Sequence, residues 1–304
     1  MLKNREFGKL IMDVLRDRLG SDYEVAEREV TKNNGVVLSG LSITKNDASI
    51  APTVYLESME EEYEKGAVGI TQIVERIIET VKKEPERVSL PGGLAEIVND
   101  PERVYANCYP RVVNAERNTE LLKDAPHDLY LDLAVVYVIR IVDVFDSPGN
   151  IMIRNDLAEK IGISHDRLRE SAFENIRRDG YVTSTLTDMI KGMLGDMDGL
   201  RDEDLCSPTS FQMYIITNDS KYFGANCLLD NEVFVELSDR LGSDLYVLPS
   251  SVHEVICVEA SDSVDPVDLA EMVHSVNVSS VSDEDYLSDT IYRFCKENRQ
   301  LAIA

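Results

Sequence analysis

Ser251 and His253 are two residues apart in the stretch Pro-Ser-Ser-Val-His-Glu-Val, and a hydroxyl beside an imidazole could supply a nucleophile and its base. On a strand both side chains would point to one face, with their Cβ atoms about 6 to 7 Å apart. Serine catalysis also needs an acid that orients the histidine and donors for the oxyanion. The GxSxG motif that presents a nucleophilic serine is absent. The alternative is a polar turn whose serines bond to nearby backbone.

Cys227 is the second candidate nucleophile, because it lies in Gly-Ala-Asn-Cys where we expect a helix to begin. The positive end of a helix dipole lowers the pKa of a thiol and so favours the reactive thiolate. The alternative is a small core residue, which is the commoner role of cysteine. With His253 as base, either Ser251 or Cys227 would make the chain a hydrolase.

Motifs for metals and nucleotides are missing. The other histidines, His127, His165 and His274, have neither HExxH spacing nor another metal-ligand spacing. The acidic segment 196–204 lacks the glycine at position six of a calcium-binding EF-hand loop. Neither GxxxxGK[ST] nor GxGxxG after a strand occurs. We therefore expect no cofactor and no metal.

The segment 157–182 resembles a winged helix-turn-helix, in which Gly162 would make the turn and the following helix would enter the major groove of DNA. Acidic and basic residues are equal in number over 154–182, whereas a DNA-binding helix is normally basic. An ordinary helix pair packed on a sheet is therefore favoured over a DNA-binding regulator. The basic residues of the second helix are Arg167, Arg169, Arg177 and Arg178.

The elements that must position these residues are a mixture of helices and hairpins. Residues 2–19 have the apolar spacing of an amphipathic helix, and Asn33-Asn34-Gly35 predicts the turn of a β-hairpin. A second apolar stripe predicts a helix over 70–81, which Pro85 should end. The apolar run 128–142 predicts one strand buried on both faces. The pattern is typical of an α+β fold with a mixed, largely antiparallel sheet.

The C-terminal part continues this pattern. Strands are predicted on both sides of Pro249-Ser250-Ser251, and Asp265-Pro266 predicts the start of a helix. The last residues predict a hairpin that turns at 297–299, and an irregular segment, either a loop or a short helical excursion, is expected over 179–208. We expect an N-terminal region of residues 1–105 and a C-terminal region of 106–304, which could pack as one unit.

The composition limits the classes of partner and the cellular compartment that we expect for this chain. The chain of 304 residues has 31 Lys and Arg against 56 Asp and Glu, a net charge of −25. Such a surface repels nucleic acid and anionic membranes and favours basic proteins or cations. No apolar run approaches the ~20 residues of a membrane span. The five scattered cysteines lack a CxxC pair, which indicates reduced thiols and a cytoplasmic protein.

Several phrases follow one another in the order of a known family, including KNNGVVLSGLSI, IAPTVYLE, YPRVVNAERNTELL and GANCLLDNEVFVELSDRLGSDLYVLPSSVHEV. On these phrases the chain resembles the bacterial domain-of-unknown-function family 5688 from about Tyr23 to Tyr292. The resemblance implies a stand-alone bacterial cytoplasmic protein and carries no activity, cofactor or substrate. It also implies that PSSVHEV and VVNAERN belong to a family pattern that can serve the fold.

The leading hypothesis for function is a soluble, acidic, non-catalytic binding or adaptor protein whose partner is another protein. A hydrolase that uses Ser251 or Cys227 with His253 is the alternative. A regulator that binds DNA through residues 157–182 is the second alternative.

Overall fold

A computed structural model describes residues 2–46, 53–87, 94–144, 147–188 and 211–304, and its architecture is α+β. The chain divides into two compact units. The first comprises the residues up to Asp100 together with Ile141–Asn150, and the second comprises Pro101–Arg140 and Ile151–Ala304. Within the described residues, no helix has the length and apolar character needed to cross a membrane.

The first unit packs helices on a small antiparallel sheet of order β1-β2-β3. As predicted, the β1–β2 hairpin turns at Asn34 and Gly35, which have φ angles of 58° and 71°. The elements of this unit are α1 (Leu2–Leu19), β1 (Tyr23–Thr31), β2 (Val37–Lys45), β3 (Thr53–Tyr55), α2 (Glu57–Glu64), α3 (Ile70–Arg87) and α4 (Leu94–Ile97).

Side chains from α1, α3 and the sheet form the core of the first unit. Ile11 and Leu15 from α1 are fully buried, as are Leu41 from β2 and Ile73 from α3. The predicted stripe of α3 is thus confirmed as its core face. The expectation that Pro85 ends this helix is wrong, because the helical backbone continues to Arg87.

The second unit contains most of the strands. Its elements are α5 (Pro101–Asn107), β4 (Cys108–Asn114), α6 (Thr119–Lys123), β5 (His127–Tyr130), β6 (Leu133–Val144), β7 (Ser147–Met152), α7 (Asn155–Ile161), α8 (His165–Asp179), β8 (Val182–Thr185), β9 (Met213–Thr217), α9 (Asn231–Leu241), β10 (Leu245–Leu248), β11 (Val255–Glu259), α10 (Pro266–Ser280), β12 (Tyr292–Cys295) and β13 (Gln300–Ile303). The ends of β6 and β7 that fall within Ile141–Asn150 belong to the first unit.

Two sheets organise the second unit among its described residues. One has the order β13-β12-β10-β11-β9-β8, and all its neighbours are antiparallel. The other has the order β4-β6-β5, with β7 beside β6. The largest core cluster lies against the first of these sheets, and Phe234 of α9 packs on Phe294 of β12 with ring centroids 5.8 Å apart.

The prediction of one strand over 128–142 is wrong, since the chain turns between β5 and β6. Leu131 has a φ angle of 56° and Asp132 follows it in the turn. The Asp132 carboxylate accepts hydrogen bonds from Ser288 Oγ at 2.7 Å and from Thr290 Oγ1 at 2.9 Å. It also accepts one from the hydroxyl of Tyr292. The turn is therefore held by residues far away in sequence, which an apolar pattern cannot reveal.

The part that we expected to be irregular, 179–208, is only partly described. It contains β8, and residues 189–210 lie outside the described residues. The segment 196–204, weighed above as a calcium loop, lies there as well.

Candidate functional site

His253 lies in the connection between β10 and β11. Backbone hydrogen bonds of 2.9 to 3.0 Å tie residues 249–252 to residues 285–288, and Ser251 forms an isolated bridge with Tyr286. The strand β11 begins only at Val255. The expectation that Ser251 and His253 share a strand face is therefore wrong, because the serine turn pairs with a distant loop before the strand begins.

Both nitrogens of the His253 ring have partners. Nε2 lies 3.1 Å from Oδ1 of Asp285, and Nδ1 accepts a hydrogen bond from the Phe223 backbone N–H at 3.4 Å. Because Nδ1 is an acceptor, we assign the proton of the neutral ring to Nε2, which donates to the carboxylate. The Ser282 hydroxyl donates to the other carboxylate oxygen at 2.8 Å. Hydrogen bonding by His253, followed by that from Ser282, lowers the pKa of Asp285 against the opposing effect of partial burial.

Ser251 serves the backbone of this turn. Its Oγ accepts a hydrogen bond from the backbone N–H of His253 at 3.0 Å, and the residue is buried. No hydrogen bond between this hydroxyl and the imidazole occurs among the described residues. The two candidates are neighbours, as their spacing implies, but the contact between them is that of a capped turn.

Cys227 lies inside the core of the second unit. It belongs to a short 3₁₀ turn, Gly224–Leu229, whereas α9 begins later, with Asp230 as its cap. The thiol is fully buried in the same cluster as Cys257. Burial raises the pKa of Cys227 well above its usual value, and Cys257 and Asp230 raise it further. The thiolate that nucleophilic chemistry requires is therefore disfavoured at this position.

Two aromatic side chains enclose the imidazole. The ring of Phe223 stacks on that of His253 at 5.8 Å with an interplanar angle of 16°, and the Tyr222 ring lies 5.4 Å away. Phe223 and Lys221 both have left-handed backbone, with φ angles of 55° and 53°. The Asn218 side chain holds this loop, since it donates to the Tyr222 carbonyl at 2.9 Å and accepts from the Tyr222 N–H at 3.2 Å.

Gly224 allows this loop to approach the backbone of His253 closely. A Cβ atom at position 224 would lie 2.3 Å from the His253 carbonyl oxygen and 2.2 Å from Thr217 Oγ1. Thr217 Oγ1 donates to the same carbonyl at 2.8 Å. Close packing of this loop against the backbone of His253 therefore explains why residue 224 is a glycine.

Arg111 of β4 extends the site beyond the predicted residues. Its guanidinium lies 4.2 Å above the ring of Phe223, and its Nε is buried without a hydrogen-bond partner. Burial lowers the pKa of Arg111, and coulombic interactions with Tyr222, Glu284 and Asp285 oppose this shift. The residue nevertheless keeps partial contact with solvent.

Sequence reasoning missed Arg111 and Asp285. Arg111 stands more than a hundred residues before His253, and Asp285 lies in a loop whose pairing with residues 249–252 has no local signature. The one available signal was the family phrase YPRVVNAERN, which contains Arg111.

The helix pair predicted over 157–182 is present. Gly162, with a φ angle of 70°, separates α7 from α8, and β8 follows. The buried face of α8 packs on β4, and Asn175 of this face donates to the backbone carbonyls of Tyr105 and Cys108 at 3.1 and 2.8 Å.

Three arginines of α8 are engaged within the chain. Arg167 forms two hydrogen bonds of 2.6 and 2.5 Å with the Glu102 carboxylate. Arg169 lies 3.8 Å from the Asp128 carboxylate, and Arg178 donates to the Tyr109 hydroxyl at 3.2 Å. These contacts reduce the positive charge that the helix could offer to DNA.

The other histidines also have local partners. His165 Nε2 lies 3.1 Å from Asp128, and His274 Nδ1 lies 2.9 Å from Asp289. His127 Nδ1 lies 3.0 Å from the carbonyl of Ala125. In the described part of the chain, no group of three His, Cys, Asp or Glu side chains is arranged to hold a metal ion.

Comparison with known proteins gives one match. The sequence model of a family of unknown function, DUF5688, matches residues 4–296, which is nearly the whole chain. No curated protein and no solved structure matches.

Proposed function

We propose that this chain, which belongs to the DUF5688 family of unknown function, is a non-catalytic binding protein of the adaptor type. The contacts of Ser251 and His253 are the main support for this proposal. The serine hydroxyl accepts from the backbone N–H of His253, while both imidazole nitrogens are engaged by Asp285 and Phe223. The hydroxyl and the imidazole that could act as nucleophile and base are thus both engaged in local structure.

The hydrolase hypothesis retains one favourable feature, the carboxylate of Asp285 beside His253. An acid that orients the imidazole is required in a catalytic triad. The nucleophile must also reach the other imidazole nitrogen, within about 2.6 to 3.2 Å. Nδ1 faces the Phe223 N–H instead, and Cys227 is a buried thiol with a raised pKa. The geometry therefore favours binding over hydrolysis.

The charge of the chain indicates the chemistry of a protein partner. With a net charge of −25, association with a basic surface is accelerated by electrostatic steering and weakened by salt. We propose a basic protein as the partner and a reducing cytoplasm as the compartment.

Crosslinking of the full chain in its native host, with a reagent that joins carboxylates to amines, tests the proposal. A basic protein should be joined to it reproducibly, and the product should diminish when excess uncrosslinked chain competes. The yield should fall between 50 and 500 mM salt, concentrations chosen to span about a threefold change in screening length. Recovery no greater than that of an unrelated protein of equal size and charge would contradict the proposal.

A further inference from the structure

We propose that Arg111, stacked on Phe223 beside His253, binds a ligand that carries a carboxylate group. This inference goes beyond the proposed function, which does not require a small-molecule site. It starts from the guanidinium of Arg111, which has no carboxylate within 4.0 Å and no hydrogen bond among the described residues.

Three other arginines of the second unit lie over an aromatic ring and also pair with a carboxylate. Arg117, Arg140 and Arg167 also lie over aromatic rings, at 3.7, 3.6 and 4.3 Å. Each has a carboxylate as well, from Asp283 at 3.9 Å, Asp179 at 2.7 Å and Glu102 at 2.5 Å. Among the described residues, Arg111 and Arg240, which lies 5.4 Å from the Tyr214 ring, have a ring without a carboxylate, but Arg240 is exposed whereas the Nε of Arg111 is buried. A ligand carboxylate would complete the same arrangement at Arg111.

An enclosed guanidinium without a partner is energetically unfavourable, because it loses hydration without gaining hydrogen bonds. The Nε of Arg111 is inaccessible to solvent, while the residue as a whole keeps partial solvent contact. The remaining donors are therefore the ones through which a solute can reach the charge. A guanidinium fork matches the two oxygens of a carboxylate and binds them with two parallel hydrogen bonds.

Of the two carboxylates that raise the pKa of Arg111, Glu284 has the larger effect, and Asp285 is already hydrogen-bonded by other groups. Asp285 accepts from His253 with one oxygen and from Ser282 with the other. It and Glu284 still place negative charge near Arg111. This field opposes a dianion more strongly than a monoanion, so a carboxylate is favoured over a phosphate monoester.

Calorimetric titration of the full chain tests the assignment, with sodium benzoate as the probe and phenyl phosphate as the second arm, both at constant ionic strength. Benzoate should bind to the native chain with a dissociation constant of about 1 mM, which is typical of a single small charged group. Phenyl phosphate should bind several-fold more weakly. Equal or tighter binding of phenyl phosphate would overturn the carboxylate assignment.

The variant Arg111→Met should weaken benzoate binding at least about tenfold, because the fork is lost while the stem still covers Phe223. Arg140→Met is the matched control, since Arg140 also stacks on a ring but is paired with Asp179. The affinity of this variant for benzoate should equal that of the native chain. If the methionine variant does not fold, Arg111→Lys keeps the charge without the fork and should show the same loss. Absence of benzoate binding to the native chain, or equal binding by the Arg111 and Arg140 variants, would overturn the proposal.

Discussion

At the scale of single residues, the imidazole of His253 is held between the Asp285 carboxylate and the backbone N–H of Phe223. The spacing of Ser251 and His253 correctly placed two polar side chains together beside a turn. It could not show that the imidazole would meet Asp285, because that contact depends on the pairing of two distant loops. The unpaired Arg111 was equally invisible, since a missing partner is a property of the folded chain.

Asp285→Asn should reveal the contribution of the pair with His253 through its pH dependence. The native pKa of Asp285 is depressed below its usual value of 3.8, so its stabilising effect is complete above that pH and is lost as the pH falls through the native pKa. We expect the variant to be less stable by about 0.5 kcal/mol at pH 6, a modest value because the carboxylate is 41% exposed. Urea unfolding between pH 6 and pH 3 measures the difference.

The difference between Asp285→Asn and the native chain should shrink below pH 3.8. Asp262→Asn is the control, because Asp262 is exposed and makes no hydrogen bond or ion pair with the described residues. A difference that stays constant or grows on acidification would contradict the assigned hydrogen bond.

Cysteine alkylation tests the burial of the candidate thiol. Burial raises the pKa of Cys227 and Cys257, and it raises that of Cys108 to about 12. With iodoacetamide at pH 8, these three thiols should react at least about 100-fold more slowly in the native chain than in urea, since little thiolate is present. Cys295, which is half-buried, should react first among the four described cysteines, as peptide mass spectrometry would show. Rapid modification of Cys227 in the native chain would be inconsistent with this account.

At the scale of elements, local signals predicted the hairpins and most helices, whereas β4 was not predicted. Pro110 lies inside β4, and proline within a strand pattern normally argues against a strand. It is tolerated because β4 is at the edge of its sheet. The buried Asn226 side chain supplies hydrogen-bond partners to the backbone of this edge strand. It donates to the Pro110 carbonyl at 2.7 Å and accepts from the Val112 N–H at 3.1 Å.

Replacement of Asn226 by alanine should destabilise the second unit by about 2 to 4 kcal/mol, because two buried backbone groups would lose their partners. Urea unfolding followed by tyrosine fluorescence measures the change. Asn231→Ala is the matched control, because the exposed Asn231 makes one hydrogen bond to the Arg299 carbonyl and should cost less than about 1 kcal/mol. Equal effects of the two variants would show that Asn226 does not hold the edge of β4.

At the scale of the whole molecule, the fold class and the sign of the net charge could be predicted from the sequence, because each depends on many residues and not on one particular contact. The α+β architecture is confirmed. The inclusion of Ile141–Asn150 in the first unit was not predicted, since the apolar run from which β6 is built continues across the boundary without a change in composition.

The charge distribution also predicts the behaviour of the chain toward DNA. The arginines Arg167, Arg169 and Arg178 of α8 are engaged with groups of the same chain, and the net charge is −25. We expect no binding to a duplex at 20 mM salt, a condition in which nonspecific binding is strongest, at protein concentrations up to about 100 μM. Fluorescence anisotropy of a labelled duplex measures this, and saturable binding would favour the helix-turn-helix hypothesis.

A fluorophosphonate probe distinguishes a structural role of Ser251 and His253 from a catalytic pair. The native full chain is incubated with the probe, and adducts are located by peptide mass spectrometry. We predict that Ser251 stays unmodified, with labelling of the native chain equal to that of Ser251→Ala. Stoichiometric modification of Ser251 that disappears in His253→Ala, with that variant still folded, would contradict the account.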